Sequence, residues 1–138
     1  DGELGRLMNI GAVKAVEVGA GMAVKDMTGY ESNDRMSASA GNVEFDSNNA
    51  GGITGGLTTG QPVIARIAVK PTPTIDKAQH TIDKYTMENT ELSAITRRDP
   101  TIVGRIWPVA ESFTAMVVLD NLIAYYGYEA MKEKVQGK

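Results

Sequence analysis

Between residues 47 and 74 the chain reads SNNAGGITGGLTTGQPVIARIAVKPTPT, and this stretch limits the fold more than any other. Gly51-Gly52, Gly55-Gly56 and Gly60 fall close together. Glycine loses more chain entropy on folding than any other residue. Such density therefore has a local reason: positive φ, or a close approach that a Cβ would block. Exposed N–H groups in a loop of this kind form a concave nest for an anion. An apolar run, 63–69, leads to Lys70-Pro71-Thr72-Pro73-Thr74, which supplies a cation and two hydroxyls. Two readings stay open: a site for a phosphorylated or flat anionic ligand, or a glycine-rich hairpin that binds nothing.

The neighbouring segments are read around this loop. Leu4, Leu7, Met8 and Ile10 have a short helix-like spacing. Residues 12–18 alternate and predict a strand, broken by Gly19-Ala20-Gly21. That G-x-G is not a dinucleotide fingerprint, because Val24 holds the third glycine position and no clear helix follows. Residues 24–42 are small and polar and predict a loop, with Glu31, Asp34 and Arg35 on a solvated surface. Residues 43–45 predict a short strand entering the glycine stretch. The run 63–69 predicts a strand covered on both faces, with Pro62 at its start. The Lys70–Pro71 segment must be extended, since each residue before a proline is pushed out of the helical region. Residues 80–85 and 90–95 predict a hairpin. Residues 108–126 predict the strongest helix, with Pro108 in its first turn and Gly127 at its end. Residues 129–135 add a last turn or two.

Composition narrows the class. The 138 residues fit one α+β domain, and 42% apolar residues suffice for a core. Cysteine is absent and His80 is the sole histidine, which argues against disulfides and a metal centre. A net charge of −3 argues against a nucleic-acid partner. No secretory pattern or long uninterrupted apolar run is visible, so no membrane span is expected. The first residue is Asp, consistent with a processed chain, an excised domain or part of a longer product.

Arg97, Arg98 and Asp99 form a second charged group. Asp99-Pro100 reads as an N-cap with proline at N1, or as an acid–base carboxylate beside guanidinium groups. The arginines read as surface ion-pair partners, or as bidentate ligands for phosphate or carboxylate. Glu111 reads as a complement to the helix dipole.

Several motifs together carry a family resemblance: LMNIGAVKAVEVGAGM from Leu7, GYESND from Gly29, the stretch 47–74, and TRRDPTIVGRIWPVAESFTAMVVLDNL. In this order and spacing they resemble the C-terminal part of chorismate synthase, over nearly the whole chain. The family's initial region, with its histidine motifs and several substrate arginines, has no counterpart here.

The resemblance implies a β–α sandwich of the chorismate synthase type, C-terminal portion only, that assembles as a homotetramer. It implies a phosphate lyase that converts 5-enolpyruvylshikimate 3-phosphate into chorismate with reduced FMN. It also points to a cytoplasmic enzyme associated with NADP, the source of the flavin's electrons being open. Carried over by motif, Gly11 and Ala12 match the flavin-contacting pair and Gly55 lies in the glycine loop. Lys70, Pro71, Thr72, Pro73 and Thr74 match the lysine–proline flavin segment. Arg97 matches an arginine on the flavin and substrate side. Asp99 matches the aspartate that manages a proton at flavin N5. Gly11 departs from the family's asparagine, Arg98 from histidine or serine, and Thr101 from cysteine or a small residue. A non-catalytic flavin- or phosphate-binding fragment is the alternative, and a purely structural oligomerisation piece a third.

Overall fold

The computed structural model describes residues 1–93 and 100–137. A 3₁₀ turn, Leu4–Asn9, opens the chain and buries Leu4 and Leu7, three residues apart on one face. Ala12, at φ +69°, turns the backbone into strand β1, Val13–Val18. The predicted strict alternation fails at Lys14, where a bulge shifts the register between Val13 and Ala15.

The polar segment read as a loop is largely ordered. A second 3₁₀ turn, Gly21–Asp26, leads to a one-turn helix, α1, Gly29–Ser32. α1 is held by a capping box: the Thr28 N–H donates to Glu31 at 2.7 Å, and the Glu31 N–H donates to the Thr28 hydroxyl. Strand β2, Met36–Ser39, then pairs antiparallel with β3, Asn42–Phe45. Ala40 and Gly41, both at positive φ, make the two-residue turn whose twist suits a hairpin. Ser37, Ala38 and Ser39 have little strand propensity of their own; pairing to β3 makes them a strand.

The glycine stretch forms a hairpin of strands β4, Ile53–Thr54, and β5, Leu57–Thr58. Gly55 and Gly56, at φ +59° and +83°, supply the turn. Strand β6, Ala65–Val69, pairs antiparallel with β1, from Val13 opposite Val69 to Val18 opposite Ala65. β6 is not covered on both faces as expected: among the described residues it pairs only with β1, and three of its five residues are exposed. Strands β7, Gln79–Ile82, and β8, Asn89–Leu92, form the expected hairpin. The Asp83 carboxylate closes its turn by accepting the N–H groups of Tyr85 and Thr86.

Helix α2, Val103–Tyr126, begins five residues before the expected start. Pro108 is therefore inside the helix, where it removes one N–H that would reach the Gly104 carbonyl. Upstream of that loss the helix is anchored by Ile106, which is buried. Pro100 lies before the helix and is not at N1; the N-cap is Ile102, and the Thr101 hydroxyl accepts the Val103 N–H at 3.4 Å. Glu111 sits in the third turn, beyond the reach of the dipole's positive end. Gly127, at φ +80°, ends α2 as expected and starts α3, Tyr128–Val135.

The core is small. Leu4, Leu7, Val13, Ile106, Val117 and Met131 are buried, where the first 3₁₀ turn meets both β1 and α2 and where α2 meets α3. The chain exposes 10688 Å², against about 6,900 Å² for a compact monomer of its mass. Much of the excess is apolar, including Trp107, Met116, Leu119 and Tyr125 on α2. With 24 residues and a mean hydropathy of 1.3 in its most apolar window, α2 is long and apolar enough to span a membrane by length and composition. That corrects the expectation that no segment would qualify; the core helix of a larger fold meets the same criterion.

Candidate functional site

The glycine stretch is built against Asp34. One Asp34 oxygen accepts the Ser47 hydroxyl at 2.6 Å and the Asn49 N–H at 2.7 Å; the other accepts the Ala50 N–H at 2.8 Å. Asn48 continues the frame: its carbonyl side chain accepts the Gly52 N–H at 2.7 Å and its amide donates to the Pro62 carbonyl at 2.9 Å. Gln61 donates to the Ser47 carbonyl at 2.7 Å. The Gly51 N–H goes to the Asn48 carbonyl. The N–H groups of 49–52 thus have partners, and the anion in this nest is the protein's own carboxylate.

Burial pushes the Asp34 carboxyl up, but the hydrogen bonds from Ser47, Ala50 and Asn49 outweigh it and hold the group below its ordinary value. Asp34 is therefore not the solvated surface residue expected from the sequence. The only sequence signal for it is its place in GYESND, ahead of a glycine stretch rich in backbone donors.

Three glycines here are required for contact: Gly52, whose Cβ would lie 2.6 Å from the Pro62 carbonyl oxygen, and Gly19 and Gly51, which meet each other. A Cβ on Gly19 would lie 2.0 Å from the Asn49 carbonyl oxygen and 2.5 Å from the Gly51 nitrogen. A Cβ on Gly51 would lie 2.4 Å from the Gly19 nitrogen. The turn after β1 and the glycine loop thus pack backbone on backbone. Gly19 donates to the Ile64 carbonyl at 2.9 Å, Ile64 donates to the Gly51 carbonyl at 3.1 Å, and the Arg66 guanidinium caps the Gly19 carbonyl.

The opposite end of the β1–β6 ribbon carries a separate group of expected residues. The Lys70 N–H donates to the Ala12 carbonyl at 2.7 Å, which sets the Lys70–Thr74 segment beside Gly11 and Ala12. The Thr72 hydroxyl donates to the Pro100 carbonyl at 3.3 Å, so the chain after Asp99 returns to this segment. Gly11, Lys70, Pro71, Pro73 and Thr74 are exposed, and Ala12 and Thr72 half-buried. Arg97, Arg98 and Asp99 lie outside the described residues. Gly55 sits on the tip of the β4–β5 hairpin, whose base joins the other end of the ribbon.

A cavity of about 470 Å³ opens beside the glycine loop. Asp34, Asn33, Thr54, Thr59 and Gln61 give it a polar lining and Met36 and Phe45 an apolar one. A second, of about 340 Å³, lies between Arg6 and the α2 side chains of Phe113, Met116 and Ile123. Neither is lined by Gly11, Ala12 or Lys70–Thr74. The Lys70 end is an open wall with cation, hydroxyl and backbone donors, suited to an anionic or carbonyl-edged ligand that other parts of a fold enclose.

The family profile described as chorismate synthase matches residues 1–123. A chorismate synthase of Methanocaldococcus jannaschii is 50% identical over 125 residues, which are 89% of this chain and 33% of the relative. One of Acetivibrio thermocellus is 44% identical over 131 residues, 94% of this chain and 33% of the relative. The crystal structure of a chorismate synthase superposes with a TM-score of 0.70 at 30% identity, over 96% of this chain and 32% of that one. The chain spans about a third of the length of the relatives it matches.

Proposed function

The chain belongs to the chorismate synthase family, and we propose that it forms the C-terminal part of an enzyme that eliminates phosphate from 5-enolpyruvylshikimate 3-phosphate to give chorismate. The observation that carries this reading is the co-occurrence of the family match with the Ala12–Lys70–Thr72–Pro100 connection. That connection gathers three motifs, far apart in sequence, at one end of the β1–β6 ribbon.

The donors present fit reduced FMN at its edge. Lys70, the Thr72 and Thr74 hydroxyls, the backbone of Gly11 and Ala12, and Arg97 would hold it, with Pro71 and Pro73 keeping the segment extended. Gly55 would meet it from the tip of the glycine hairpin. When bound, reduced FMN supplies the electron density that lets phosphate depart.

The chain's own residues supply charge and a proton acceptor. Lys70 and Arg97 would offset the negative charge of the leaving phosphate. Asp99 would accept a proton on its carboxylate. The exposed apolar face of α2 and the uncovered faces of β6 pack against the rest of the enzyme. The excess surface, about 3,700 Å² over a compact monomer, is of the size that obligate interfaces bury. The enzyme is a soluble homotetramer of the cytoplasm in this reading, and NADP is one source of the flavin's electrons.

The test is a hybrid in which this chain replaces the matching third of the M. jannaschii relative. It is assayed anaerobically with reduced FMN, following chorismate absorbance. The hybrid turns over, and Asp99→Asn keeps FMN binding while lowering turnover about 10²- to 10⁴-fold. A folded, FMN-loaded hybrid without turnover would refute the catalytic reading and favour a flavin-binding fragment.

A further inference from the structure

The β4–β5 hairpin is anchored at its base and free at its tip. Among the described residues its two strands pair only with each other, and a Cβ at Gly55 or Gly56 would meet nothing within 4 Å. Where the tip points is therefore decided by what holds residues 49–52. Asp34 reaches that base across more than a dozen residues of sequence, and takes three loop donors on its two oxygens. A carboxylate suits the place because it only accepts, with room for about four donors. Its bonds are shorter and stronger than those of a neutral acceptor. An amide there would turn an NH₂ group toward a backbone N–H, donor against donor. Asp34 also lines the cavity beside the loop, together with Thr54 of the hairpin and Thr59 just beyond it.

We propose that Asp34 is a positioning residue for the flavin site: it fixes the base of the β4–β5 hairpin and so decides where Gly55 is presented. The inference rests on the reading of Gly55 as a flavin contact. Asp34 acts through the backbone of Asn49 and Ala50, and takes no part in proton transfer.

The experiment compares Asp34→Ala and Asp34→Asn with the parent in the hybrid enzyme. FMN affinity is read from quenching of flavin fluorescence, and hydrogen–deuterium exchange is read over 53–58 in the same samples. Asp34→Ala weakens FMN binding about tenfold or more, the size expected when a set of charge-assisted bonds is cut. It speeds exchange in 53–58 and leaves exchange in β1 and β6 unchanged. Turnover at saturating FMN stays within about threefold of the parent, since the acid–base group is elsewhere. Asp34→Asn, which keeps the oxygen that serves Ser47 and Asn49, recovers part of the affinity. Parental FMN affinity in Asp34→Ala overturns the proposal, whether or not exchange quickens. If Asp34→Ala does not fold, Asp34→Asn and Ser47→Ala carry the test, and parental affinity in both overturns it. If the parent hybrid binds no FMN, the flavin reading fails separately. Exchange over 53–58 then decides Asp34's hold on the hairpin: faster exchange in Asp34→Ala supports it, and unchanged exchange overturns it.

Discussion

Gly19→Ala should be far more damaging than Gly55→Ala, although both residues sit at φ +59°. The positive φ costs either alanine about 1–2 kcal/mol. At Gly55 nothing further is expected, because the added Cβ enters open space. At Gly19 the Cβ would stand 2.0 Å from the Asn49 oxygen, where ordinary contact begins at 3.4 Å, and the atoms in the way are backbone. The loop must retreat by more than about 1 Å, a distortion in the range of overpacking, about 1–3 kcal/mol. That retreat stretches the Ala20-to-Asn49 and Gly19-to-Ile64 hydrogen bonds, now 2.8 and 2.9 Å. Each is worth about 1 kcal/mol net. The sum is about 4–7 kcal/mol for Gly19→Ala, against about 1–2 kcal/mol for Gly55→Ala. Urea denaturation followed by far-ultraviolet circular dichroism separates the two. With a slope of about 1–3 kcal/mol per molar, the midpoints should differ by about 1–3 M, or Gly19→Ala should be unfolded without urea. Equal midpoints would show that the close approach of the two glycine segments is not present in solution.

Much of this was legible in the sequence because the responsible residues act locally. Gly55-Gly56 needs positive φ, Gly127 ends a helix, and the β-branched run before Lys70 reads as a strand in its own right. What was not legible depends on partners distant in sequence. Asp34 looks like surface charge until Ser47, Asn49 and Ala50 close on it. Met36–Ser39 looks like loop until β3 pairs with it. Gly19 and Gly51 give no sign that they touch. The start of α2 differs for another reason: Pro108 is a strong first-turn signal, yet the helix begins at Val103 and buries Ile106 ahead of it. At the candidate site, the neighbourhood of Ala12 and Lys70 follows from strand pairing.

Three further outcomes are expected. The Asp34 carboxyl lies below its ordinary value of 3.8 when folded. Its contribution to stability is thus complete above that pH and is lost as pH falls through the lower folded value. Thermal melts from pH 6 to pH 2 should show acid destabilisation that Asp34→Asn reduces, and an identical pH profile in the two proteins would remove Asp34 from the loop. Lys70→Ala and Arg97→Ala should each weaken FMN or substrate binding in the hybrid, most at low salt; affinities equal to the parent's across a salt series would place both outside the site. Thr28→Ala removes the side-chain half of the α1 capping box and should cost about 1 kcal/mol, read as a shift in urea midpoint, with no shift expected only if α1 is unformed.

The most direct test is chorismate formation by the verified 138-residue chain alone, under anaerobic conditions with reduced FMN and 5-enolpyruvylshikimate 3-phosphate. These residues supply an open wall at Ala12 and Lys70–Thr74 and leave the apolar face of α2 uncovered. The chain alone should therefore be marginally stable or self-associated, and should form no measurable chorismate while the hybrid does. Steady turnover by the chain alone would contradict the account, because it would mean that the site is complete within these residues.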